Sequence, residues 1–175
     1  MADATINGTA GERTQRKMLI TVAEWGATGS TTGTREILGT RTPDSSIEFN
    51  ADISTETDVR GITYTDVNKT EPQQSFDPFY QMAGSKLSAY LAKAAMENDI
   101  QAYNGKFTIY LINAGMGTSS AYYTVKHEGC TIVPTSMGGD SYVNMPIEVH
   151  MSNDITVGTV DKLSDDFEFT ASTSV

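Results

Sequence analysis

A chain of 175 residues is long enough for one domain with a real hydrophobic core and short for two. Its formal charge of −10, from 12 basic and 22 acidic residues, excludes passive binding of nucleic acid, because affinity for phosphate comes from Lys and Arg releasing counterions. One cysteine, Cys130, excludes an intrachain disulfide framework and a Cys-rich zinc site; it reads as a small buried hydrophobe in a strand.

The hydrophobic fraction is 38% and the charged fraction 19%, and small residues fill the gap: 24 Thr, 15 Ser and 15 Gly. Thr is β-branched and suits a pleated, half-exposed surface, so the composition favours strands. Met1 to Arg16 is polar, without the apolar centre of a signal peptide. No run approaches the roughly 18 apolar residues of a membrane helix. The chain is therefore expected in the cytosol when made, where the sequons at Asn7 and Asn68 carry no meaning.

In chain order, residues 1–16 form a flexible polar arm, residues 17–171 one β-sandwich domain, and residues 172–175 a tail. Lys17 to Glu24 is a strand with Met18, Ile20 and Val22 on one face. Ala27 to Thr34 is a loop, Arg35 to Leu38 a short strand, and Arg41 to Asp44 a turn. Ile47 to Ile53 alternates most cleanly: Ile47, Phe49, Ala51 and Ile53 face a core, while Glu48, Asn50 and Asp52 face water. Val59 to Val67 is its partner, with Gly61 at a bulge. Asn68 to Ser75, with Pro72, is a connection or an edge segment.

One helix follows. Asp77-Pro78 offers a cap and first turn, and Ser85 a second N-cap. From Lys86 onward Leu87, Tyr90, Leu91, Ala94 and Ala95 recur at helical spacing until Asn98-Asp99. Lys106 to Ile112 is a central strand, Asn113 to Ser120 a turn, and Ala121 to Val133 a long strand. Gly138-Gly139 marks a hairpin turn. Tyr142 to Met151 alternates, with Asn144, Glu148 and His150 on the polar side. Ile155 to Asp161 and Asp166 to Ala171 complete an antiparallel β-sandwich or barrel with one packed helix.

Signals of chemistry are sparse. His127 and His150 sit in strands, outside any zinc-type spacing. Gly26 to Gly33 lacks the Gly-Lys-Ser/Thr ending of a phosphate loop, and Gly115-Met116-Gly117 opens no helix. No nucleophile elbow is present. Glu48, Asp52, Glu56, Asp58 and Asp66 cluster; paired carboxylates serve glycosidases or calcium, but the plainer reading is one wet sheet face and its hairpin. The expectation is a non-enzyme without cofactor or metal.

The stretch Ile47 to Tyr64, followed by Lys69-Thr70-Glu71-Pro72-Gln73-Gln74-Ser75-Phe76-Asp77-Pro78, resembles the phage tail tube (major tail) protein family. A strand ends in acidic and Thr residues, an Asp-x-x-Gly turn follows, and a Gln-Ser-x-Asp-Pro stretch leads toward a helix; the order of elements fits over residues 17 to 171. The resemblance implies a β-sandwich with a flanking helix that closes into homohexameric rings. Such rings stack into a tube around a tape-measure protein, meet terminator and baseplate or distal tail proteins at its ends, and let DNA pass without specific binding or membrane contact. The location implied is the virion tail, with assembly in the host cytoplasm. Under this reading Glu48, Asn50, Asp52, Asn144, Glu148 and His150 are candidate lumen-facing residues. Thr31, Arg35, Glu36 and Arg41 lie in the candidate inter-ring loop. The rivals are the tube of a contractile phage-tail-like particle or secretion system, another virion part, a carbohydrate-binding β-sandwich using Tyr122, Tyr123 and Tyr142, and a hydrolase built on Glu48 and Asp52.

Overall fold

The computed structural model describes residues 6–7, 10–28 and 32–172. Its strands are β1 (Leu19–Trp25), β2 (Thr34–Ile37), β3 (Ile47–Glu48), β4 (Asp52–Thr57), β5 (Thr63–Lys69), β6 (Gln73–Phe76), β7 (Phe107–Thr118), β8 (Ala121–Pro134), β9 (Ile147–His150), β10 (Asp154–Val160) and β11 (Phe169–Ala171). The helix α1 (Lys86–Glu97) lies between β6 and β7. Nine strands join one antiparallel sheet in the order β2-β1-β7-β8-β9-β6-β3, with β10 added to β8 and β11 to β10. The mainly β sandwich with one helix expected from the sequence is the fold observed.

The sheet folds into two layers, the first of β2, β1, β7, β10 and β11 and the second of β9, β6 and β3, and the long strand β8 belongs to both. Its residues Tyr122 to Glu128 pair with β10, and Thr131 to Pro134 pair with β9. The change of partner falls at Gly129, whose φ is +71°. An L side chain there would sit in the left-handed region at a cost of roughly 1–2 kcal/mol, although no atom stands near the site of its Cβ. Gly129→Ala is expected to lower stability by about that amount in denaturant titration without a packing defect.

The layers meet in one core: Ala23 and Ile109 from the first, Phe76, Ile147 and Val149 from the second, and Leu87 and Leu91 from α1. A buried polar stitch joins them. Thr21 Oγ1 donates to Gln74 Oε1 at 2.8 Å, and Gln74 Nε2 donates to Ser45 Oγ at 3.0 Å. A second cluster covers the other face of β1 and β7, where Phe167, Leu163 and Phe169 pack on Val22, Tyr110 and Ile112. Burial on both faces explains why β1 and β7 read as nearly continuous apolar runs.

Several sequence expectations are corrected. Ile47 to Ile53 is not one half-buried strand. Asn50 has φ +42°, and the chain leaves β3 there for a separate hairpin of β4 and β5, leaving Phe49 60% and Ile53 58% exposed. Gly61 (φ +78°) sits in the hairpin turn and not at a bulge; Asp58 closes that turn by accepting from the amides of Arg60 and Ile62. The Asn68 to Ser75 segment ends in β6, an interior strand between β9 and β3. Pro72 precedes β6, so no ladder donor is lost, and its carbonyl accepts from Met151 N. The expected turn at Asn113 to Ser120 is mostly strand, with a register shift between Asn113 and Gly117. The arm residue Ile6 pairs with Met116 in that irregular stretch.

The helix forms where its signals place it. Ser85 Oγ accepts from Ser88 N, and Asn98 ends α1 in the left-handed conformation. Asp77-Pro78 lies outside it. One carboxylate from β2 reinforces the start: Glu36 Oε1 accepts from Ser85 Oγ at 2.5 Å and Oε2 from Leu87 N at 3.0 Å. Negative charge at a helix N-terminus is favourable, so Glu36→Ala should cost about 1–2 kcal/mol, read from thermal unfolding.

Candidate assembly surface

The second layer presents one polar face to solvent. Across it runs the row Glu48, Gln73, His150 and Thr131, with Ser75, Glu148 and Val133 in the next row on the same side. The opposite side holds Ile47, Gln74, Val149 and Ile132 against the core. His150 Nε2 lies 3.5 Å from Glu148 Oε2. Three of the six candidate lumen residues, Glu48, Glu148 and His150, are thus brought onto one face from β3 and β9.

The other three are not. Asn50 sits in the break after β3, where its Nδ2 donates to Glu71 O. Asp52 belongs to β4, in a different sheet from Glu48, so the two do not share a strand face. Asn144 is tied internally: its Oδ1 accepts from Phe79 N at 2.9 Å and its Nδ2 donates to Asp77 Oδ1 at 3.1 Å. Of the acidic cluster only Glu48 stands apart: Asp52 and Glu56 on β4, Asp66 on β5 and Asp58 in their turn share one solvated hairpin, as the plainer reading expected. Among the described residues no three His, Cys, Asp or Glu side chains gather as a metal would require.

The loop candidates fare likewise. Thr31 lies outside the described residues. Arg35 is an internal residue: its Nε donates to Glu24 Oε2 at 2.6 Å, its Nη1 to Phe167 O at 2.6 Å, and its guanidinium lies 4.3 Å from the Phe167 ring centre. Glu36 caps α1 as described. Of the three described candidates, only Arg41 is exposed, beside a cleft of about 300 Å³ lined by Tyr80, Gln81, Met82 and Tyr142. Charges that read as a loop surface prove to be intramolecular ties because their partners are distant in sequence.

Cys130 and His127 behave as strand residues. Burial pushes the Cys130 thiol up, and His127 is buried with Nδ1 at 2.8 Å from Ser152 O. The three tyrosines that the carbohydrate-binding rival would use are not gathered: Tyr122 packs on the second core cluster, Tyr123 lies opposite Thr159 between β8 and β10, and Tyr142 meets Tyr80 edge-on at 6.3 Å.

Sequence reasoning paired the strands of the most exposed element but missed that their hairpin stands apart from the main sheet. The β4–β5 hairpin pairs with neither layer. One of its faces carries the opposed pairs Ile53–Val67, Thr55–Thr65 and Thr57–Thr63, all β-branched and uncharged. A two-stranded hairpin alone is marginal in water. The Asp58-x-x-Gly61 turn was legible between strands of six and seven residues, but nothing local to it says that the hairpin leaves the sandwich.

The fold and surface define a class, an antiparallel β-sandwich with a projecting β-arm and a wet acidic sheet face. The chain matches no protein-family model, and no curated protein shows significant sequence similarity to it.

Proposed function

We propose that the chain is a structural subunit of a phage tail tube, closing into hexameric rings that stack around a tape-measure protein and later pass DNA. The observation that carries this reading is the arm: a solvated hairpin with an uncharged Ile/Val/Thr face pairs with no strand of the nine-stranded sheet and gains a partner by assembly. The resemblance over Ile47 to Pro78 supports the same reading. So does the polar face bearing Glu48 and Glu148, which suits a pore lining that phosphate does not adhere to.

Negative-stain electron microscopy of the purified protein is the test. Rings or hollow rods are expected; a chain that stays monomeric at every concentration overturns the proposal. For the lining, tubes carrying Glu48→Lys and Glu148→Lys are expected to retain DNA at low salt and release it as salt rises, where wild-type tubes do not retain it. No observation favours the contractile-tail, secretion-tube or carbohydrate-binding rivals over this reading.

A further inference from the structure

The first layer is covered unevenly. Along the row Thr21, Leu111, Val125 and Val157, exposure rises from buried Thr21 on β1 to 40% at Val157 on β10. Along Ala23, Ile109, His127 and Ile155 it rises from buried to 48%. The second layer lies over β1, as the Thr21–Gln74 bond requires, and leaves the β10 side bare. The result is an apolar half-face of Val125, Ile155 and Val157, bordered by Leu111 at the edge of the core, and none of these is charged.

The molecule thus has two bare β-branched surfaces, this half-face and the Ile53/Val67 face of the arm. They stand at opposite edges of the sandwich. The arm is rooted next to β3, the terminal strand of the second layer, while β10 lies beyond β8 on the far side of the first. Copies of a chain carrying −10 repel one another, and these are surfaces on which two copies meet without opposing like charges. Sheets pack face to face when their apolar sides meet, and an arm whose strands have six and seven residues spans about 20 Å, enough to cross several strands.

We propose that the β4–β5 arm of one copy packs across the Val125/Ile155/Val157 half-face of a second copy. Because donor and acceptor surfaces differ, the contact is head-to-tail and generates rings or filaments, not a closed dimer. This inference rests on the self-assembly proposed above and specifies its contact.

The test mixes an Ile53→Cys variant with a Val157→Cys variant and adds a short flexible bis-maleimide; buried Cys130 stays unreactive in the background. A covalent two-chain product is expected from the mixture, and a ladder from the double variant. Ile53→Asp with Val67→Asp is expected to raise the concentration needed for assembly by at least about tenfold while leaving the unfolding midpoint of the monomer in place. If the wild-type chain forms rings or tubes, but the mixture gives no cross-link and the double-Asp variant assembles normally, the docking mode is overturned and the tube reading stands. If the wild-type chain never assembles, both fall.

Discussion

Replacing Arg35 by Met is expected to cost about 3–5 kcal/mol, because it strands a buried carboxylate. The side chains of Arg35 and Glu24 are only 12% and 7% exposed. Glu24 Oε2 accepts from Arg35 and from the Tyr110 hydroxyl at 3.0 Å, and Oε1 from Gly33 N at 2.9 Å. Arg35 also holds the chain at Phe167 against the sheet, so its loss should speed hydrogen exchange in residues 161–168. Glu24→Leu added to Arg35→Met should recover part of the loss, since it removes the unpaired charge and leaves only Gly33 N and Tyr110 without an acceptor.

The same cluster sets an acid dependence with a definite sign. Burial alone would push the Glu24 carboxyl up. The Arg35 hydrogen bond, the Gly33 amide, the guanidinium charge and the Tyr110 hydroxyl outweigh it and hold the carboxyl below its ordinary value of 4.5. A depressed carboxylate contributes stability above its unfolded pKa and loses it as pH falls through the folded one. Wild-type stability should therefore fall below about pH 4.5 through this group. In Arg35→Met burial dominates and the carboxyl rises, so the gap between variant and wild type should narrow from pH 7 toward pH 4, as read by urea titration across that range. At the alkaline end, burial and then the Glu24 charge keep Tyr110 protonated above its ordinary range. Its contribution is complete below the ordinary tyrosine value and is lost as pH rises past it.

Phe76→Ala is the second large expected effect, at about 3–5 kcal/mol. Phe76 is 1% exposed, pairs with Ile147 across β6 and β9, and packs under Gly39. Removing the ring leaves a cavity between the layers beside the Thr21–Gln74 bond, where rigid strands on both sides limit collapse. The melting midpoint should drop on the order of 10 °C, measurable by calorimetry. Because Phe76 faces away from the Gln73/Ser75 side, tubes of this variant formed in the cold should keep their dimensions.

The local signals were legible where one segment contains its own reason. The helix is the clearest case: Ser85 caps it, Leu87 and Leu91 set its buried stripe, and Asn98 ends it, all within fourteen residues. The strand character of β1, β7, β8 and β9 followed from runs and alternation in the same way. The Ile47 to Ile53 stretch failed because alternation states only that two faces differ. It does not say which is covered, and the left-handed turn at Asn50 divides the stretch between a sandwich strand and a free arm. Arg35 and Glu36 were misplaced because their partners, Glu24, Phe167, Ser85 and Leu87, are reached only through the fold.

By itself the sequence determined a mainly β chain with one helix, an acidic surface and a Thr-rich exterior, since propensity, periodicity and charge reside in neighbouring residues. Only the tertiary structure decided which faces remain bare. That depends on where β8 exchanges β10 for β9 at Gly129 and on how far the second layer reaches across the first, both fixed by pairings between residues far apart in the chain.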